Sequence, residues 1–140
     1  MYDIYLAGPF FNKQEIENIN RVKEFLRNQG YSIFVPQEHF IKNGELLDNH
    51  IWAKKVFDMD IEAINKSKAL FVVYYGMYSD SGTAWEIGYA YAKNIPIYIY
   101  HITDEISSLM VSNGCFVNLY KLEDFLKDKK ELNSEKREQK

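Results

Sequence analysis

The feature that most constrains the fold is an apolar run over residues 69–75, which is soon followed by the motif DSGTAWEIGYA at residues 80–90. The run is rich in β-branched and aromatic residues, as is typical of a strand buried in a parallel sheet. The motif combines turn residues with apolar residues at helical spacing, which predicts a loop and then a helix. Ligands of open α/β sheets bind at the carboxyl ends of the strands, so we expect Asp80 and the first helical turn to face a ligand.

Glu86, inside this motif, has two interpretations. Near a helix start, the helix dipole and the free N–H groups favour an ionised carboxylate, and an ionised glutamate in a cleft can act as a nucleophile. Thr83 and Glu86 also have the spacing of a capping box, in which the glutamate only closes the start of the helix. The local pattern favours the capping box, so evidence for a catalytic glutamate must come from other parts of the chain.

Strands and helices alternate along the chain. Strands are predicted at residues 4–7, 31–35, 69–75, 95–100 and 115–119, and helices at 12–29, 48–66, 81–93, 105–111 and 122–127. This alternation predicts an α/β fold of the flavodoxin-like kind, a doubly wound five-stranded parallel sheet with helices on both faces. Right-handed crossovers place the ends of the first and third strands side by side. We therefore expect residues 5–11 to lie next to residues 80–86.

Length and composition set the domain organisation and exclude some partners. The 140 residues, 46% of them hydrophobic, can bury one core, and we assign residues 1–128 to a single domain. Residues 129–140 are charged, which predicts a disordered tail. The net charge of -3 argues against nucleic acid and anionic membranes as partners. The first residues are not basic and no apolar run could span a bilayer, so we expect a cytoplasmic protein.

The predicted strand ends carry acids and aromatic rings but almost no cations. Pro9 removes an N–H from the turn after the first strand, and the chain has no glycine-rich nucleotide motif, so a phosphate cradle is not expected. Histidine, cysteine and carboxylates do not cluster at ligand spacing, so we expect no metal. Carboxylates between aromatic walls suit a flat base joined to a sugar. Phe10, Phe11 and Trp52 are candidates for stacking on the base, with core packing as the alternative for each.

Cleavage of a glycosidic bond requires two groups with different pKa values in one pocket. One carboxylate attacks the anomeric carbon, while another group protonates the departing atom. Glu86 is the predicted nucleophile. Asp60, an acid on an otherwise apolar helix face, and Asp80 are the two candidates for the proton carrier.

Three segments of the sequence resemble nucleoside 2-deoxyribosyltransferases. They are residues 4–11 (IYLAGPFF), residues 51–53 (IWA) leading to Asp60, and the motif at 80–90, with a weaker match at residues 109–110. The segments span residues 4 to about 125, and the three acids are spaced as in the family pattern. The resemblance favours a catalytic Glu86 over the capping box, although one residue can serve both purposes.

The resemblance implies a two-step exchange between bases. Glu86 would attack the anomeric carbon of a 2′-deoxynucleoside, and the base would leave with a proton from Asp80 or a nearby donor. A second free nucleobase would then take the deoxyribosyl group with net retention. Tyr5 would orient Glu86, Asp60 would hold the sugar hydroxyls and assist proton movement, and Asp80 would read the base edge. No cofactor is implied, because the glycosyl ester conserves the bond energy for the acceptor.

The resemblance also implies substrate-binding residues and an assembly. The substrate-binding candidates are Gly8, Phe10, Phe11, Gln37, Trp52, Ser108 and Met110, with Gln37 as the base reader. Family members form dimer-based homo-oligomers, commonly hexamers, in which a neighbouring subunit completes each active site through a segment matching residues 107–110. This chain has Ser108 where the family often has asparagine, and Ser108 or Asn113 is the candidate replacement.

Two other functions stay open beside transfer of 2-deoxyribose in nucleoside salvage. One is a hydrolase of 2′-deoxynucleoside 5′-monophosphates, which should carry serine and arginine after the first strand to hold the phosphate. This chain has PFFNK at residues 9–13, which favours the transferase. The other is a non-catalytic nucleotide-sensing module on the same fold, because a fold does not fix a function.

Overall fold

The centre of the structure, a computed structural model that describes residues 1–78 and 80–128, is a five-stranded parallel sheet. Its strands are β1 (Tyr2–Ala7), β2 (Ile33–Phe34), β3 (Ser67–Tyr74), β4 (Ile97–His101) and β5 (Val117–Leu119). Their order across the sheet is β2-β1-β3-β4-β5, and each neighbouring pair is parallel. This order confirms the predicted flavodoxin-like fold. The prediction of a disordered tail at residues 129–140 lies outside the described residues.

Helices cover both faces of the sheet. In the described part of the chain they are α1 (Lys13–Asn28), α2 (Asn49–Asn65), α3 (Ser81–Ala92), α4 (Leu109–Gly114) and α5 (Phe125–Asp128). α1 and α5 share one core cluster with the sheet, and α2, α3 and α4 share the other. None of the helices within residues 1–78 and 80–128 is long and apolar enough to cross a lipid bilayer.

The pleat of β1 decides which side chains reach which helices. Ile4 and Leu6 point into the cluster with α1, whereas Tyr5 and Ala7 point into the cluster with α2 and α3. β1 pairs with β3 up to Ala7 and Val72, so the ends of these two strands are adjacent, as predicted. Tyr5 therefore lies beneath the helix that carries Glu86.

The structure differs from the sequence prediction in the extent of several elements. β4 begins at Ile97 because Pro96 has no N–H, and the N–H of Ile95 bonds to the carbonyl oxygen of Ala90 in α3. The short helix predicted over residues 105–111 is α4 instead, whose N-cap is Ser108. β2 is only two residues long, and two short 3-10 turns, Pro36–Glu38 and Gly44–Leu46, occupy the long loop after it.

The helical spacing of the apolar residues within 48–66 predicts that Ile51 and Trp52 face the core, and this prediction is wrong. The buried residues of α2 are Ala63 and Ile64, at the end of the helix, while Trp52 is 45% exposed. Only the last turns of α2 pack against the sheet. The first turns leave their apolar side chains open in the isolated chain.

Candidate active site

A cleft of about 290 Å³ opens at the carboxyl ends of β1 and β3, between α2 and α3. This is the strand junction at which open α/β sheets bind ligands. The residues that line it are Ala7, Gly8, Pro9, Phe10, Phe11, Pro36, Phe57, Asp60, Ile61, Asp80, Gly82, Thr83, Trp85 and Glu86. The structure therefore brings together all three predicted acids with the predicted Gly8, Phe10 and Phe11.

The turn that leaves β1 requires glycine at position 8. Gly8 has a φ of +153°, and a Cβ there would lie 3.1 Å from the carbonyl oxygen of Val73 and 3.1 Å from Cδ1 of Ile19. A larger residue would be strained in backbone angle and crowded by β3 and α1. Gly8 thus lets the chain turn tightly enough to put Phe10 and Phe11 at the edge of the cleft.

Glu86 faces the sheet and not the start of its own helix. The hydroxyl of Tyr5 donates a hydrogen bond to Oε2 of Glu86. The Tyr5 ring is fully buried and stacks on Phe34, with 5.4 Å between ring centroids, so the hydroxyl is held in place. The capping-box interpretation of Glu86 is wrong: the N-cap of α3 is Asp80, and Thr83 lies inside the helix.

Burial shifts the acidity of this pair. The pKa of Glu86 is raised to about 7, chiefly because the carboxyl group is buried; the hydrogen bond from Tyr5 lowers it, and the charges of Asp60 and Asp80 raise it. The pKa of the Tyr5 hydroxyl is raised well above its ordinary value by burial and by Glu86 and Asp60. The sequence prediction that the helix start would hold Glu86 ionised is wrong. The dipole acts mainly within the first turn, and Glu86 lies beyond it.

Asp60 is the second acid of the cleft. Its Oδ1 atom is buried and has no hydrogen-bond partner among the described residues. Burial raises the pKa of Asp60 to about 6. A partly buried carboxyl with an unpaired oxygen and a raised pKa can hold a proton near neutrality and present it to a ligand.

Asp80 is the third acid, and its surroundings differ from those of Asp60. Its Oδ1 accepts a hydrogen bond from the Thr83 hydroxyl, and its Oδ2 accepts one from the Thr83 N–H at 3.3 Å. Both oxygens therefore accept hydrogen bonds from one residue of the first helical turn.

Aromatic rings form the walls of the cleft. Phe10 and Phe11 stack on each other with 6.1 Å between centroids, and Phe57 meets Trp85 edge to face at 5.3 Å. The sequence analysis does not identify Phe57 and Trp85 as residues of the site. The signal was present, because Phe57 precedes Asp60 by one helical turn and Trp85 precedes Glu86 directly.

Four of the predicted substrate-binding residues do not line this cleft. Trp52 packs beside Gly44, where a Cβ would lie 2.9 Å from the indole. Gln37 lies in the 3-10 turn after β2, and its Oε1 atom is buried without a hydrogen-bond partner among the described residues. Ser108 and Met110 line a separate hollow of about 420 Å³ between α3 and α4. In one chain, neither of these last two side chains reaches the three acids.

Comparisons with known proteins show which proteins this chain is similar to. A family model described as nucleoside 2-deoxyribosyltransferase matches residues 4–120. A comparison with curated protein sequences gives no match. Among solved structures, a 2-deoxyribosyltransferase from the psychrotolerant bacterium Bacillus psychrosaccharolyticus is similar at a TM-score of 0.81 and 31% sequence identity, over 87% of this chain and 88% of that chain.

Two further solved structures share the fold at lower identity. A conserved protein from Enterococcus faecalis has a TM-score of 0.74 and 23% identity, over 93% of this chain and 98% of that chain. A CMP N-glycosidase from Clostridium botulinum has a TM-score of 0.58 and 19% identity, over 90% of this chain and 96% of that chain.

The matched range of the family model contains Tyr5, Asp60, Asp80 and Glu86, the polar groups that meet at the cleft. The similarity thus covers the residues at the site as well as the sheet that positions them. The chain belongs to the nucleoside 2-deoxyribosyltransferase family.

Proposed function

We propose that this protein transfers the 2-deoxyribosyl group from a 2′-deoxynucleoside to a free nucleobase through a covalent glycosyl–glutamate intermediate. The observation that carries the proposal is the hydrogen bond from the buried Tyr5 hydroxyl to Glu86 inside a cleft that also contains Asp60 and Asp80. A carboxylate held in this way can attack an anomeric carbon. The reaction serves nucleoside salvage in the cytoplasm.

In the first half of the proposed reaction, a carboxylate oxygen of Glu86 attacks C1′ of the deoxynucleoside. The bond between C1′ and the base nitrogen breaks, and its electron pair stays on the base, which takes a proton. In the second half, a nitrogen of the incoming base attacks C1′, the ester bond to Glu86 breaks, and the base loses its proton. Two displacements at C1′ give net retention. The ester keeps the deoxyribosyl group activated, so no cofactor is required.

Asp60 is the better candidate for carrying the proton to the departing base. Its pKa of about 6 keeps part of the population protonated near neutrality, and Oδ1 has no partner among the described residues. Both oxygens of Asp80 already accept hydrogen bonds from Thr83, which suits the role of a hydrogen-bond acceptor. The proposed roles are therefore proton transfer for Asp60 and recognition of a donor group on the substrate for Asp80.

The charge of the cleft supports a nucleoside over a nucleotide as the substrate. The described residues around it include three acids and no lysine, arginine or histidine. A 5′-phosphate would meet like charges without a cation to hold it, whereas a neutral nucleoside would not. This observation is against the alternative, a hydrolase of 2′-deoxynucleoside 5′-monophosphates. The aromatic rings at the walls suit the flat base.

We further propose that the active protein is a homo-oligomer built on dimers, and that a neighbouring subunit brings Ser108 and Met110 to the cleft. Leu109 and Met110 are 80% and 83% exposed in the isolated chain, next to the open hollow between α3 and α4. Large apolar side chains exposed together are typical of surfaces that associate. Sedimentation of the purified protein tests the assembly, and a monomer that is fully active would refute it.

The test of the function is a base-exchange assay with deoxyinosine and adenine. We expect deoxyadenosine and hypoxanthine to form in equal amounts in the parent protein, and Glu86→Ala to abolish both. Mass spectrometry of the protein mixed with deoxyinosine alone should detect an added deoxyribosyl group that is absent in Glu86→Ala. Glu17→Ala, at an exposed position on α1, is the matched control and should keep parental activity.

Other outcomes distinguish the alternatives. Free deoxyribose without deoxyadenosine would indicate a hydrolase, and release of base from a deoxynucleoside monophosphate alone would indicate the nucleotide-specific form. Binding of nucleosides without any turnover would indicate a sensing module. Turnover that Glu86→Ala leaves unchanged would refute the catalytic role of this residue.

A further inference from the structure

The first turn of α3 is shaped around the carboxylate of Asp80. Thr83, only 2% exposed, contacts both oxygens of Asp80 with its hydroxyl and its backbone N–H. A Cβ at Gly82 would lie 3.0 Å from Oδ2 of Asp80, so the glycine leaves room for this conformation. The bond that the Thr83 N–H donates to Asp80 is the ordinary N-cap bond of a helix start. The bond that the Thr83 hydroxyl donates is additional.

The hydroxyl bond matters because of where Asp80 points. Asp80, Gly82 and Thr83 all line the cleft, so the acid lies at the helix start and in the wall of the site at once. The two bonds from Thr83 use one lone pair on each oxygen and leave a second on each for a ligand. Without the hydroxyl, only the weaker contact at 3.3 Å would resist rotation of the carboxylate.

We propose that Thr83 is a positioning residue, whose hydroxyl fixes the carboxylate of Asp80 at the angle at which it accepts a hydrogen bond from the substrate. The proposal rests on the proposed function, since it assumes that Asp80 contacts a nucleoside or nucleobase. It adds a residue that is almost fully buried, at 2% exposure, and that would act through Asp80. Displacements of the order of 1 Å in such a group can cost about a hundredfold in rate.

Thr83→Val tests the proposal, because valine keeps the shape and removes only the hydroxyl. We expect kcat/KM for base exchange to fall about 10- to 100-fold, mainly through a higher KM for the acceptor base. Thr83→Ser restores the hydroxyl and should restore kcat/KM close to the parent value. A residue that only stabilised the helix would lower the melting temperature without this rise in KM.

A double-mutant cycle separates action through Asp80 from a direct effect. In an Asp80→Asn background, Thr83→Val should cause no further loss of kcat/KM, because the group that it positions has already been changed. Parental kcat/KM in Thr83→Val, or an independent loss in the Asp80→Asn background, would overturn the proposal. If the parent protein neither exchanges bases nor binds deoxyinosine in calorimetry, the proposed function fails, and this role fails with it. An active parent with an unaffected Thr83→Val refutes the positioning role alone.

Discussion

At the scale of single residues, two opposing effects act on the carboxyl group of Glu86. Burial raises its pKa to about 7, and the hydrogen bond from Tyr5 acts in the opposite direction. The enzyme proposed here needs the carboxylate form for attack on C1′. Tyr5 therefore contributes by keeping a useful fraction of Glu86 ionised near neutral pH, besides fixing its orientation.

Tyr5→Phe should expose this contribution in the pH dependence of base exchange. The proposed reaction needs Glu86 ionised and Asp60 protonated, so kcat/KM of the parent should follow a bell-shaped pH profile whose two limbs lie near pH 6 and pH 7. Without the hydroxyl, the pKa of Glu86 rises, so a smaller fraction of the protein combines an ionised Glu86 with a protonated Asp60. The activity at neutral pH should fall, and the alkaline limb of the profile should move to higher pH. The measurement is a pH profile of kcat/KM for both proteins.

Tyr89→Phe is the matched control for that experiment. Like Tyr5, Tyr89 donates a hydrogen bond from its hydroxyl to a side-chain oxygen. Its acceptor is Asn65, at 2.8 Å, and Tyr89 does not line the cleft. Its removal should leave the pH profile in place. A Tyr5→Phe profile that loses height while its alkaline limb stays in place would show that the hydroxyl orients Glu86 without tuning its acidity.

At the scale of elements, the start of α1 holds the aromatic turn of the cleft. The Asn12 side chain caps the helix by accepting from the N–H of Glu15 at 2.9 Å, and Oε1 of Glu15 accepts from the N–H of Phe11 at 2.9 Å. This pair resembles a capping box, except that Glu15 accepts from the residue before the N-cap, and it occurs at α1 instead of α3. It ties Phe11, which is 77% exposed, to a rigid helix.

Glu15→Ala should therefore weaken substrate binding more than catalysis. Loss of the bond frees the backbone of Phe11, so the stacked pair of rings at the edge of the cleft becomes less ordered. We expect KM to rise while kcat changes little, and the free energy of unfolding to fall by only about 1 kcal/mol. Steady-state kinetics and denaturant unfolding measure the two effects. The exposed Glu17→Ala should change neither, and an unchanged KM in Glu15→Ala would contradict this role of the cap.

At the scale of the whole molecule, the buried acids of the candidate site lower the free energy of unfolding once they are ionised. Glu86 and Asp60 both have folded-state pKa values above their ordinary values of 4.5 and 3.8. Such groups bind protons more tightly in the folded than in the unfolded protein. Their contribution to stability is fully present below about pH 4 and is lost as pH rises through about 6 and 7.

Glu86→Gln should therefore stabilise the protein in alkaline buffer while abolishing transfer. Glutamine keeps the size of the side chain and can still accept from Tyr5, but it removes the buried charge. A shift from 4.5 to about 7 corresponds to a gain of at most about 3 kcal/mol at pH 8, with little gain at pH 4. Urea unfolding at the two pH values measures it, with the exposed Glu24→Gln as control. An equal gain in the free energy of unfolding at both pH values would contradict the raised pKa of Glu86.

Much of this molecule could be predicted from its sequence because the signals are local and repeated. The apolar run that became β3, the helical spacing after Asn12 and the strand–helix alternation predicted the sheet order and the meeting of Tyr5 with Glu86. Periodicity encodes which face of an element is apolar, and right-handed crossovers leave few topologies. The family resemblance was carried by the same segments, so the candidate acids could be named in advance.

The sequence by itself determined the fold, the family and the acids, since each follows from residue type and spacing along the chain. Only the tertiary structure decided that Asp80 and not Glu86 caps the third helix, and that burial raises the pKa of Glu86. It also decided that Thr83 contacts Asp80 through its hydroxyl and that Trp52 lies outside the cleft. These properties depend on how deeply a group is buried and which distant atoms surround it. Neither depth nor neighbours are encoded in local spacing, because they arise when separate elements pack against one another.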